Sequence, residues 1–428
     1  MPPPARARFR KVLRVVAWLV LALVLVAAGY VGYVWWRHDR PVTLPAPSGR
    51  YPVGRRTFDW TDSGRPDPWA PRKRPRRLSV WLWYPAADGA GTSGSPAPYA
   101  PGAWRQLHLP APVGIAETSF AEVRTHARSD VPPAAGRFPV VVLEPGLGLA
   151  APQYQSLAED LSSHGYLVAG VTPTYSANLT VLGGRPVRSD GAGNPSGFAG
   201  GRSPAAVSTA RRLLAVWVAD ARFAARRVAG LDRRGPLAGH VDTARTLYLG
   251  HSFGGAAALQ ACAEDRRCAG AADLDGGEYG RATRTGLRTP VMLVGHDGSC
   301  VTGTCRPRAA GDRADRRLAV RMLHRSHGPA WAVTIADSAH FSFTDYATYY
   351  LAAPLRFLIP LGSVDGSRGL RLTAAYVAAF ADRATTRQES ALLEPGRHSL
   401  GAAQATVSAG SGAVRPGRTP EHPTEGGG

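Results

Sequence analysis

Short, wholly apolar runs alternate with longer amphipathic ones through the middle of this chain. FPVVVLE at 138–144 has no polar face before its terminal glutamate, the pattern of a strand buried on both sides. A helical pattern, QYQSLAEDLSSHG, follows from Gln153, and YLVAGVTP at 166–173 reads as the next strand. Residues 205–230 predict a long helix, TLYLG at 246–250 a strand, and the small residues after Ser252 another helix. CAGAADL (268–274), PVMLVG (290–295) and WAVTIAD (331–337) continue the rhythm, and 371–385 reads as a closing amphipathic helix. Earlier, RRLSVWLWYPA (76–86) alternates and predicts a first strand, whereas 87–137 is mostly irregular. Buried strands separated by helices predict an α/β domain with a mostly parallel sheet covered on both faces.

The amino terminus follows a different pattern. Arg6, Arg8, Arg10, Lys11 and Arg14 precede an uncharged apolar run from Val15 to Trp36. As a helix that run spans about 33 Å, enough for a bilayer core. Tyr30, Tyr33, Trp35 and Trp36 crowd its far end, as in an interfacial aromatic belt. A cleaved signal peptide ends in small residues, so an uncut anchor is the expectation, with a cleaved signal as the alternative. The basic flank puts residues 1–14 in the cytoplasm and the remainder outside. The expected organisation is therefore a basic segment 1–14, a membrane anchor 15–36, a Pro-, Gly- and Arg-rich stalk 37–75, a catalytic domain 76–386 and a disordered tail 387–428. Four cysteines, Cys262 with Cys268 and Cys300 with Cys305, suit two local disulfides in an exported domain. They lack the spacing and histidine partners of a zinc site, and no metal is expected.

Charge changes this picture little. The formal net charge is +20, but Lys11 and Lys73 are the only lysines. Arginine abundance beside so much Ala, Gly and Pro fits a compositional bias. The densest cluster, Arg72, Lys73, Arg74, Arg76 and Arg77, is broken by proline and has no interleaved aromatics for base stacking, so it reads as a solvated loop. Nucleic acid is not an expected partner.

The candidate chemistry lies in Gly250-His251-Ser252-Phe253-Gly254, between a strand and a helix. With 49 glycines in the chain, composition alone can set two of them round a serine. The flanking strand and helix supply what the pentapeptide lacks. A serine hydroxyl is a poor nucleophile until a base takes its proton and an oxyanion is stabilised. A sharp strand-to-helix turn exposes such a serine, and side chains two positions away would collide there, hence G-x-S-x-G. This predicts an α/β-hydrolase fold with Ser252 as nucleophile. The helix that follows aims backbone N–H groups at Ser252, making the Phe253 amide one oxyanion donor. The glycine-rich LEPGLGLA after the 138–144 strand offers Leu147 as the second. His340, just beyond the 331–337 strand, is the candidate base, and His251 is read as structural. Asp275, at the end of CAGAADL, and Asp297, after PVMLVG, compete as the acid, and spacing does not separate them. Residues 100–135 and 175–204 are expected to wall the pocket.

LSVWLWYPA, GRFPVVVLEPGLG, LAEDLSSHGYLVAGV, GHSFGGAAALQACAEDRRCAGAADLDG and SAHFSFTD, in this order, resemble the platelet-activating factor acetylhydrolase family, in its plasma and intracellular second-isoform type, and its bacterial relatives. The resemblance implies that the acid, in an L-D-G-like motif, is Asp275, with Asp297 the alternative. It also implies Ser252 and His340 as partners, Leu147 and Phe253 as oxyanion donors, and lipid esters with a short or oxidised acyl chain as substrate. It implies no cofactor and no calcium. A general carboxylesterase or lipase, or a non-catalytic binding module on the same fold, are the rival readings. One departure stands out: Glu144-Pro145-Gly146-Leu147-Gly148 replaces the S-H-G-L-G common in that family.

Overall fold

The computed structural model describes residues 5–90, 94–109, 112–195, 201–401 and 403–409, with side chains from Phe9 onward. Eleven strands form one sheet: β1 (Val53–Pro66), β2 (Pro75–Pro85), β3 (Arg128–Ser129), β4 (Phe138–Glu144), β5 (Leu167–Thr172), β6 (Val241–His251), β7 (Cys268–Leu274), β8 (Val291–His296), β9 (Ala330–Ile335), β10 (Gly396–Leu400) and β11 (Ala403–Ala409). Their spatial order is β10-β11-β9-β8-β7-β6-β4-β5-β2-β1-β3. The six central strands β5, β4, β6, β7, β8 and β9 run parallel, and antiparallel pairs flank them on both sides.

Helices cover both faces. Alternation within β4 sends Val140 and Val142 to one face and Val141 and Leu143 to the other. On the first face lie α3 (Pro204–Leu231) and α4 (Phe253–Glu264), with Trp217 fully buried edge-on to Phe253 at 5.1 Å. On the second lie α2 (Gln155–Ser163) and α6 (Gly366–Thr386), packed on Trp81, Trp83 and Val168. A further helix, α5 (Ala310–Arg325), precedes β9. The strands expected at 138–144 and 268–274 have those same limits, and the long helix expected at 205–230 runs from 204 to 231.

Three expectations need correction. Residues 37–75 are not simply a stalk: β1 pairs with β2 along most of its length, so this segment is built into the sheet. Residues 387–401 and 403–409 are not a disordered tail, because β10 and β11 pair with each other on the β9 edge, with Val407 opposite Val333. Alternating buried Ala403, Ala405 and Val407 give the second strand of that pair an apolar face. The end of the expected tail, 410–428, lies outside the described residues. Finally, the basic cluster is not wholly solvated. Arg76 is fully buried, bonded to Asp220 and Asp67 and lying over Trp69.

The first helix, α1, extends over Ala5–His38, longer at both ends than the expected 15–36. It is long and apolar enough to cross a membrane, and its apolar side chains are exposed between Phe9 and Val31. Its last turns dock on the domain. Tyr30 donates to the Ala353 carbonyl, Tyr33 meets Tyr350 edge-on, and Arg37 lies 4.7 Å over the Tyr350 ring. Both expected cysteine pairs are disulfides: Cys262–Cys268 ties the end of α4 to the start of β7, and Cys300–Cys305 closes a loop after β8.

Candidate active site

Four adjacent strands end on one edge of the sheet. Ser252 follows β6, Asp275 follows β7, His296 closes β8, and His340 lies beyond β9. The strand ends are tied together, for the Ser252 amide donates to Leu274 O at 2.8 Å and the Asp275 amide to Val294 O at 2.6 Å. Ser252 has φ 56° and ψ −123°, a backbone that L-residues rarely adopt. The surrounding glycines explain how the turn closes. A Cβ on Gly250 would strike the Gly254 carbonyl, and one on Gly254 would strike the carbonyls of Glu144 and Pro145. The turn therefore needs glycine on both sides.

The side chains meet as follows. His340 Nε2 lies 3.0 Å from Ser252 Oγ, and His340 Nδ1 lies 2.6 Å from Asp275 Oδ2. Asp275 is buried, whereas His340 is about a third exposed at 32%. Burial alone would raise the Asp275 carboxyl. Hydrogen bonds from His296 and His340 and the charge of both rings outweigh that, holding it far below the usual carboxylate range. Asp297, the competing acid, is exposed and accepts from the Asp337 amide at 3.3 Å. It is Asp275 that the fold brings to His340.

The loop carrying Leu147 is held from both sides. The Gly146 amide donates to Tyr154 Oη at 2.8 Å, and the Gly148 amide donates to Ser176 O at 3.2 Å. Between them, the Leu147 amide has no acceptor among the described residues. A Cβ on Gly146 would come within 3.4 Å of Ser252 Cβ, so the loop passes directly beside the serine. Residues 176–178 thus support this loop, while 196–200 of the expected wall lie outside the described residues.

His251 is fully buried, and burial, followed by the charge of His340, lowers its pKa to about 3. Its neutral ring then has one donor and one acceptor. Nε2–H donates to the His340 carbonyl at 2.9 Å, so Nδ1 accepts from Tyr154 Oη–H at 2.8 Å. A directional relay, Gly146 N–H to Tyr154 to His251 to His340 O, links the Leu147 loop to the histidine backbone. His251, expected only to support the fold, sits inside the site, between Tyr154 and the His340 carbonyl.

Glu144 also turns out benign. Both its oxygens are buried without partners among the described residues, and burial, with the nearby charge of Asp220, pushes its pKa well up. Both effects favour its neutral form, on the face of the sheet that α3 covers.

The sequence reading passed over His296, Ser299 and Tyr154. His296 Nδ1 lies 2.6 Å from Asp275 Oδ2, and Ser299 Oγ donates to Asp275 Oδ1 at 2.7 Å. The available signal was position, since His296 ends the strand beside the one that ends at Asp275. Donor atoms of Asp275, His296 and His340 lie within 4.8 Å of one another, the spacing of a metal-ligand set. Both Nδ1 atoms are already spent as hydrogen-bond donors to the carboxylate, so the donor set fits an ionised acid flanked by imidazoles.

No family model matches the chain. It is 26% identical over 373 residues to a probable 1-alkyl-2-acetylglycerophosphocholine esterase of Arthroderma benhamiae, covering 79% of this chain and 87% of the relative. Among solved structures, a ferulic acid esterase from Streptomyces cinnamoneus superposes with TM-score 0.65 at 31% identity, covering 82% of this chain and 96% of that one. With a mixed sheet whose central strands are parallel, a strained serine turn and this likeness across almost all of a known esterase, the chain belongs to the esterases of the α/β-hydrolase superfamily and is a carboxylic ester hydrolase.

Proposed function

We propose that the chain hydrolyses short-acyl lipid esters through an acyl-serine intermediate, with Ser252 as nucleophile, His340 as base and Asp275 as the acid that orients it. The observation that carries this reading is the unbroken line from Ser252 Oγ to His340 Nε2 and from His340 Nδ1 to Asp275. Because Asp275 is ionised, it accepts from Nδ1–H and leaves Nε2 free to take the serine proton. Oγ attacks the ester carbonyl, and the Leu147 and Phe253 amides hold the oxyanion, each such donor being worth about 3–4 kcal/mol. His340 then protonates the departing alcohol, and water, activated by the same ring, releases the acid from Ser252.

Two features favour a lipid ester. The curated relative carries a phospholipid esterase name. Near the places where α1 docks, at Val113–Ala116, Tyr350 and Ala353, apolar side chains also face solvent, with Phe357 81% exposed, Leu358 75% and Val113 53%. In this reading α1 anchors the chain with Arg10, Lys11 and Arg14 on the cytoplasmic side and the site outside. The likeness to a ferulic acid esterase favours a second reading, in which the substrate is a soluble ferulate ester.

Fluorophosphonate labelling of the wild type, lost in Ser252→Ala and His340→Ala, tests the mechanism. Comparing kcat/KM for an acetyl-glycerophospholipid with that for methyl ferulate separates the substrates. Labelling that persists in Ser252→Ala overturns the nucleophile, and a preference for the ferulate overturns the lipid assignment.

A further inference from the structure

Acyl transfer on this plan needs three of the four residues at the strand ends. His296 is the fourth. Its Nδ1 and that of His340 each lie 2.6 Å from one oxygen, Asp275 Oδ2. The other oxygen is taken by the Ser299 hydroxyl at 2.7 Å and by the His296 amide at 3.2 Å. An ionised carboxylate only accepts, so both rings carry hydrogen on Nδ1. The His296 side chain is 31% exposed, so its ring can exchange protons with solvent.

We propose that His296 is a positioning residue that tunes the base: protonated, it shares the charge of Asp275 with His340 and keeps His340 unprotonated into mildly acidic solution. This rests on the Ser252–His340–Asp275 reading above. Two imidazolium ions would lie within a few ångströms of each other across a single negative charge, so protonating one opposes protonating the other. Burial would pull the His296 pKa down, but its hydrogen bond to Asp275 and the charges of Asp275 and Asp297 carry it above the usual histidine value. Among the described residues the ring also faces His340 and the buried His251, while Asp273 and Asp315 lie near enough to Asp275 to act on it.

The test is the pH profile of kcat/KM on a soluble short-chain aryl ester for the full-length wild type, His296→Asn and His296→Phe. Asparagine sets an N–H close to where Nδ1–H lies, keeping the bond to Asp275 but removing the charge. The acid midpoint should rise by about one pH unit in His296→Asn, the scale of coupling between adjacent charges. His296→Phe, which also loses the donor, should have a lower plateau than His296→Asn. Superimposable acid limbs for wild type and His296→Asn would overturn the proposal, as would equal plateaus for the two variants. Undiminished hydrolysis by Ser252→Ala would remove the triad reading itself, and the proposal with it, a result recognisably different from unchanged pH profiles.

Discussion

Replacing Asp275 by asparagine tests the site at its most constrained point. The carboxylate accepts from four donors: the His296 amide, His296 Nδ1, Ser299 Oγ and His340 Nδ1. An amide has one accepting oxygen and two hydrogens. If the oxygen keeps the Ser299 and His296 amide bonds, the NH2 group confronts two Nδ1–H donors. The conflict is relieved when the rings move their hydrogens to Nε2. His340 then presents Nε2–H to Ser252 Oγ and cannot take its proton. A wrong tautomer of this kind lowers kcat by about 10⁴-fold, or about 5.4 kcal/mol. Asp275 has φ 59°, a conformation asparagine tolerates, so the substitution adds no backbone strain. Asp297→Asn changes an exposed carboxylate with one 3.3 Å contact and should stay within about twofold of wild type. The assay is kcat/KM on an aryl acetate, with circular dichroism to verify folding. More than a tenth of wild-type activity in folded Asp275→Asn, or a collapse in Asp297→Asn, would refute the reasoning.

Glu144→Gln should stabilise the protein increasingly as pH rises. The folded chain keeps a proton on Glu144 that the unfolded chain releases above about pH 4.3, so wild-type stability falls by up to about 1.4 kcal/mol per pH unit until the raised folded value is passed. Denaturant midpoints of the two proteins should converge near pH 4–5 and separate by pH 8, and parallel curves would show that Glu144 is not held neutral. Tyr154→Phe should orphan the Gly146 amide and His251 Nδ1, costing about 1–3 kcal/mol of stability for each group left buried and unpaired. Because that relay supports the Leu147 loop and the His340 backbone, kcat should fall more than KM changes, and an unaltered kcat would argue that the relay is structural only.

What the chain determines locally, it states openly. The six central parallel strands were legible, because a run such as FPVVVLE must be buried on both faces whichever strands become its neighbours; the two-residue parallel strand at 128–129 was not. The serine turn was legible too, since only glycine fits against the Gly254 and Glu144 carbonyls. The apolar run of α1 was plain for the same local reason. Other features depended on partners remote in the sequence. Residues 53–66 and 403–409 have unremarkable compositions and become strands because a sheet edge offers unpaired N–H and C=O groups to them. Arg76 is indistinguishable in sequence from its solvated neighbours, and it is buried because Asp220, 144 positions on, meets it. The residues themselves left Asp275 and Asp297 open. Strand order placed one of them against His340 and brought His296 to the same oxygen. Periodicity and turn chemistry act over a few residues and can be read there, whereas a contact between strand ends exists only once the order of strands in the sheet is set.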